Sequence, residues 1–205
     1  MRDKHGVAYK PKQRNSNNRE RRCKVLIVAE GKNKTETKYF RELKREYNLN
    51  LSFVSGDYTD PVNMVNALIK EVDNDYGDIG FCLIDSDFAV GKNEQIARAD
   101  KMAAKCKVNV IVSSPCFEIW LLCHFNASTK QYRNFEEVFS ALRKELPGYT
   151  KNADGVFSAT KDKLKDAMQN AQKLRENCER NGYSRHTVEF LPSTEVDVML
   201  KQFIK

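Results

Sequence analysis

The chain has 205 residues, of which 40% are hydrophobic and 31% charged, enough for one well-buried core with accessories or two small lobes. No apolar run approaches the roughly 18 residues of a membrane span. The first 22 residues lack the apolar stretch of a signal peptide, so a cytoplasmic location is expected. Most of the net charge of +7 lies in residues 1–22, where eight Lys/Arg face only Asp3 and Glu20. With few large apolar residues and the run Asn15, Ser16, Asn17, Asn18, residues 1–22 read as a disordered basic arm. Such an arm either grips nucleic-acid phosphates by counterion release or only solubilises the chain. The six cysteines form no CxxC pair and read as reduced thiols. The three histidines, His5, His124 and His186, pair with no suitably spaced cysteine, so zinc is not expected.

From Lys24 the pattern alternates between strand and helix. Lys24–Ala29 is an apolar strand, and Thr35–Tyr47 an amphipathic helix with Tyr39, Phe40 and Leu43 on its apolar face. Leu49–Ser55 is a weaker strand. Asp60 caps a helix with Pro61 in its first turn, running to about Asn74. Ile79–Ile84 is the third strand, Asn93–Cys106 a helix, and Val108–Val112 the fourth strand. Ser114 is the expected cap of a strongly apolar helix reaching about Phe125. Beyond it come a short helix near Phe135–Leu146, a long polar helix over Lys161–Arg180, and a capped helix from about Ser193. Near-continuous apolar strands separated by helices indicate a parallel sheet covered on both faces. The expected fold is therefore α/β: a Rossmann-like four-stranded parallel sheet with flanking helices over residues 23–125 and a helical appendage over residues 126–205.

Two strands run out into acid. Glu30 follows the first strand, and Asp85 and Asp87 follow the third. In open α/β sheets, ligands bind beyond the carboxyl ends of strands where strand order reverses. Carboxylates gathered there repel one another unless a cation holds them, and hard oxygen ligands suit Mg²⁺ or Mn²⁺. Glu36 lies in the first turn of the next helix and Glu118 in the turn after strand four, and the resemblance set out below implies both as further candidates. For both, a favourable position in the helix dipole is the competing reading. Lys32 and Lys34 are candidate phosphate contacts beside Gly31, although GKNKT lacks the glycine spacing of a Walker A loop. Phe88 and Lys92 read as solvated loop residues, with substrate contact as the alternative. His124 is either a satisfied buried histidine or a proton carrier.

VAEGKNKTETKYF (Val28–Phe40), LIDSD (Leu83–Asp87), SSPCFEIWLLCHF (Ser113–Phe125) and PSTEVDVML (Pro192–Leu200) together resemble the Toprim fold of topoisomerases, primases and OLD-type nucleases, and more closely the RloB-like family of prokaryotic proteins. The first two blocks are general Toprim marks, and PCFEIWLLCHF is the family-specific one. The resemblance implies Glu30 as the Toprim acid and Asp85 and Asp87 as Mg²⁺ or Mn²⁺ ligands, with Glu36 or Glu118 completing a second metal position. It implies a nuclease acting on RNA, including tRNA, or on DNA, as the effector of an anti-phage defence system with an ABC-type ATPase partner. A non-catalytic Toprim scaffold of such an ATPase complex is the competing implication, and nucleotidyl transfer ranks behind both. A homo-oligomer is left open.

Overall fold

In the computed structural model, residues 23–30, 35–87, 89 and 91–204 are described. The basic arm, Lys32 and Lys34 beside Gly31, and Phe88 lie outside the described residues. The chain forms β1 (Val25–Ala29), α1 (Thr35–Glu46), β2 (Leu51–Phe53), α2 (Pro61–Glu71), β3 (Ile79–Asp85), α3 (Lys92–Ala103), β4 (Val108–Ser114) and α4 (Glu118–Cys123). It continues through α5 (Phe135–Glu145), α6 (Val156–Thr160), a 3₁₀ turn (Lys161–Lys163), α7 (Leu164–Arg180), β5 (Ser193–Thr194) and α8 (Val196–Leu200). The sheet order is β2-β1-β3-β4-β5. β1 to β4 are mutually parallel, and β5 pairs antiparallel with the end of β4, Ser113 opposite Thr194 and Ser114 opposite Ser193.

Period-two alternation gives each strand two buried faces. Val25 and Ile27 of β1, with Phe81 and Leu83 of β3, point to one core, while Leu26, Val28, Cys82 and Ile84 point to the other. The second core is closed by α2 and α3 through Met64, Leu68, Ile96 and Ala99. The first is larger, because α1, α4, α5, α7 and α8 all contribute to it, with Trp120, Tyr39 and Phe40 at its centre. Burying aromatics of that size contributes a few kcal/mol each.

Three expectations change. The sheet has five strands, because residues 193–194 add an antiparallel edge, so the segment after residue 126 is not purely helical. Pairing with β5 carries β4 on to Ser114, which therefore ends a strand and does not cap a helix. α4 starts only at Glu118, and the last helix starts at Val196, after β5. Asp60 does cap α2, accepting from the Asn63 N–H at 2.9 Å, with Pro61 in the first turn.

Buried ionic groups lock the new edge in place. The guanidinium of Arg175 on α7 donates to both carboxylate oxygens of Asp197 and to the Thr194 carbonyl. His186 bridges Asp100 of α3 (2.6 Å) and Glu195 (2.7 Å), which also accepts the Val112 N–H and pairs with Arg185. Burial opposes charge on His186, but the two carboxylates overcome it and raise its pKa to about 9.

Candidate metal centre

After β1 the chain crosses to β2 on one side of the sheet, then returns to β3 on the other. The strand order therefore reverses between β1 and β3, and the crevice at their carboxyl ends is where such a sheet binds ligands. Glu30 leaves β1 directly into that crevice, and Asp85 is the last residue of β3. The turn after it is fixed by backbone bonds from Ser86 N–H to Ser113 O (2.9 Å) and from Asp87 N–H to Pro115 O (3.1 Å). The Ser86 hydroxyl is buried against that of Ser114 at 2.7 Å. Asp87 adopts φ 50°, a left-handed conformation that Asp tolerates better than most side chains. Asp85 and Asp87 thereby face the same space while Ser86 turns inward.

Glu36 enters from the first turn of α1 and Glu118 from the first turn of α4. All five predicted carboxylates, Glu30, Glu36, Asp85, Asp87 and Glu118, line one cavity of about 230 Å³. Each has a distinct setting. Asp85 Oδ1 accepts the Phe117 N–H at 2.9 Å, filling the role at the start of α4 expected of Ser114. Glu118 is buried and accepts the Tyr149 hydroxyl proton at 2.8 Å. A larger groove of about 870 Å³ beside β2 and α2 contains a single acid, Glu71, and no comparable convergence.

Crowding these acids away from water disfavours their charged forms. Burial raises the pKa of Glu36 to about 7, helped by repulsion from Glu118 and Glu30 and opposed by Lys151. Burial, followed by repulsion from Glu36, Glu118, Asp87 and Glu30, raises Asp85 well above the usual carboxylate range. Glu30 is also raised by burial, although Lys92 opposes it.

Lys92 corrects the sequence expectation of a solvated loop. It opens α3, its side chain is 4% exposed, and its ammonium lies 2.8 and 2.9 Å from the two Glu30 oxygens and 3.6 Å from Asp87 Oδ2. A lysine at a helix start opposes the helix dipole, and that mismatch was the available signal. Lys151, Thr35 and Thr59 also line the cavity and were not singled out from sequence. Lys151 arrives from the far segment because α1 clamps it there. Thr35 Oγ accepts the Asn152 N–H at 3.1 Å, Lys38 donates to the Asn152 carbonyl at 2.6 Å, and Glu42 accepts from the Gly155 and Ser158 N–H groups at 2.7 and 3.0 Å.

The family model for RloB-like protein matches residues 25–203, from the start of β1 to just past α8. The chain belongs to the RloB-like family. No curated protein and no solved structure matches it. The matched span contains every carboxylate of the cavity, together with Lys92, Tyr149 and Lys151.

The donor set of this RloB-like protein is all oxygen and suits a hard divalent cation, whose charge would offset the burial and the mutual repulsion that raise Glu36, Asp85 and Glu30. In the observed arrangement, however, no three Asp, Glu, His or Cys among the described residues converge closely enough to hold an ion. Four of the carboxylates are instead engaged within the protein: Lys92 contacts Glu30 and Asp87, the Phe117 N–H donates to Asp85, and the Tyr149 hydroxyl donates to Glu118. The ligand chemistry therefore fits, while the ligand geometry requires the side chains to close in further, against the contacts of Lys92 with Glu30 and Asp87.

His124 belongs to the core. It is 1% exposed, its Nε2 lies 3.2 Å from the Tyr39 hydroxyl and its Nδ1 3.1 Å from the Trp120 carbonyl. Burial lowers its pKa to about 4, so it is a neutral packing residue outside the cavity at physiological pH.

Proposed function

We propose that this RloB-like protein is a Toprim-type, Mg²⁺- or Mn²⁺-dependent nuclease that hydrolyses phosphodiesters of RNA, including tRNA, or of DNA. Its place in the cell on this reading is the cytoplasm, as the effector of an anti-phage defence system whose ABC-type ATPase partner restrains it. The observation that carries the proposal is the convergence of five carboxylates on one cavity at the topological switch point, with Lys151 facing them.

Glu30, Asp85 and Asp87, with Glu36 or Glu118 beside them, would hold a divalent cation, which would supply an activated water and charge neutralisation at the phosphate. The side chains perform the rest. Glu36, whose burial holds a proton on its carboxyl in the metal-free protein, is placed to exchange a proton with the attacking water or the leaving oxygen. Glu30, also raised, is the alternative proton carrier. Lys151 presents an ammonium to the non-bridging oxygens, the role expected from sequence of Lys32 or Lys34. Asp85, anchored by the Phe117 N–H, is the fixed point about which the others arrange.

The second reading is a non-catalytic scaffold of an ATPase complex. The pairing of Lys92 with Glu30 and Asp87 favours it, since part of the cluster's charge is then offset without a cation. Expression with the ATPase and a phage trigger, followed by RNA and DNA integrity, separates the two. The nuclease reading predicts nucleic-acid degradation that falls on the order of 10²-fold or more in Glu30→Gln, the scale of losing a proton-transfer group. Toxicity that persists undiminished in Glu30→Gln and in Asp85→Asn supports the scaffold.

A further inference from the structure

Among the described residues, Lys92 is the one lysine that is buried. Two effects oppose its position. An ammonium withdrawn from water loses hydration that only close partners can replace, and the first turn of a helix presents its own positive end to a cation. What holds it there is the bidentate contact with both Glu30 oxygens and the longer one with Asp87. Gly91 before it, at φ 81°, supplies the left-handed turn that begins α3 at this point.

The same contacts define what else can bind. With both Glu30 oxygens already accepting from Lys92, a divalent cation that ligates that carboxylate must either displace the ammonium or share its oxygens against cation–cation repulsion. Four methylenes let the head group swing away by rotamer changes alone, leaving α3 in place. We infer that Lys92 is a positioning residue that acts as the internal counterion of the carboxylate cluster. It gathers Glu30 and Asp87 in the metal-free protein and competes with a divalent cation for them. The concentration of cation needed to fill the centre is then raised by the presence of Lys92. This inference rests on the metal-centre reading given above.

Two measurements on the full chain test it. Calorimetric titration with Mn²⁺ should give binding on the order of tenfold tighter in Lys92→Met than in the unsubstituted protein, because a repelling charge and a competitor are both removed. Binding that is equal or weaker in Lys92→Met, while Asp85→Asn with Asp87→Asn still weakens it, overturns the counterion role and leaves the metal centre standing. If neither the unsubstituted protein nor Lys92→Met binds Mn²⁺, both readings fall together. The second measurement is thermal unfolding in a chelator, which involves no metal and remains available if Lys92→Met does not fold. Glu30→Gln with Lys92→Met removes both charges and is expected to melt higher than Glu30→Gln alone, which leaves the ammonium buried with only its distant partner. A double variant that melts lower than Glu30→Gln alone overturns the inference.

Discussion

Glu36 gives the cavity a pH signature that runs opposite to that of an ordinary paired carboxylate. Its folded pKa, about 7, lies above the unfolded value of 4.5, so the folded state keeps a proton that the unfolded chain releases. Its contribution to stability is therefore complete below about 4.5 and is lost as pH rises through about 7. Asp85 and Glu30 are raised too and act in the same direction. Melting of the metal-free protein should fall across that window, and Glu36→Gln should flatten the fall. At pH 8 the variant should be more stable by on the order of 3 kcal/mol, the equivalent of the shift. A variant that melts lower than the parent at pH 8 would mean that the Glu36 carboxylate is stabilised by contacts stronger than the repulsion described. His186, raised to about 9, adds a separate loss of stability at higher pH, between about 6.5 and 9. At this scale Glu30, Asp85 and Asp87 were legible in the sequence because each ends an apolar run that only a buried strand explains. Lys151 was not, and Lys92 only as a lysine misplaced at a helix start, since both sit in polar stretches whose local pattern does not show what faces them across the fold.

Among the elements, α1 does more than cover the sheet. Glu42 accepts three hydrogen bonds, from the Gly155 N–H and from the Ser158 N–H and hydroxyl, and so caps α6 from another helix. With Thr35 and Lys38 it holds the segment that carries Tyr149 and Lys151 over the carboxylates. Glu42→Ala should cost about 1 kcal/mol, the usual worth of an N-cap, lowering the melting temperature by ~2–4 °C for a chain of this size. On the nuclease reading it should reduce cleavage by more than the reduced stability explains, because Lys151 is no longer held in place. Equal cleavage per folded molecule would remove Lys151 from the catalytic account. The same scale shows where sequence reading failed. The Asp60–Pro61 cap is a local signal and placed the start of α2 correctly, while the helix ends at Glu71 and not near Asn74. β5 has two residues and no periodicity, so nothing local announces it; its pairing moved the end of β4 to Ser114 and delayed α4 to Glu118. The bonds that clamp α1 to the Lys151 segment join residues more than 110 apart in the chain, beyond the reach of any window-based pattern.

For the whole molecule, charge is divided between parts. Residues 1–22 carry +6 of the +7, leaving a body of 27 basic and 26 acidic residues. A nearly neutral body with an acidic cavity offers a polyanion little general attraction, so on the nuclease reading the arm is the expected source of a strong nucleic-acid grip. Deleting residues 1–22 should weaken nucleic-acid binding and flatten the slope of log K against log[salt], by about 0.9 for each duplex phosphate that the arm no longer neutralises. An unchanged slope would leave the arm a solubilising segment. The α/β class, the parallel strands and the site at their carboxyl ends all followed from alternating apolar runs with acids at their ends. The merging of the later helices with the first core did not, because α5, α7 and α8 bury their apolar faces against a surface no single segment reveals. The central claim is that the cavity at the switch point binds a divalent cation through Asp85 and Asp87. Its most direct test is the decline of the free Mn²⁺ electron paramagnetic resonance signal as protein is added. The predicted result is one or two ions bound per chain, with binding sharply weakened by Asp85→Asn with Asp87→Asn at unchanged fold. Mn²⁺ bound equally by the double variant would place the metal elsewhere and contradict the claim.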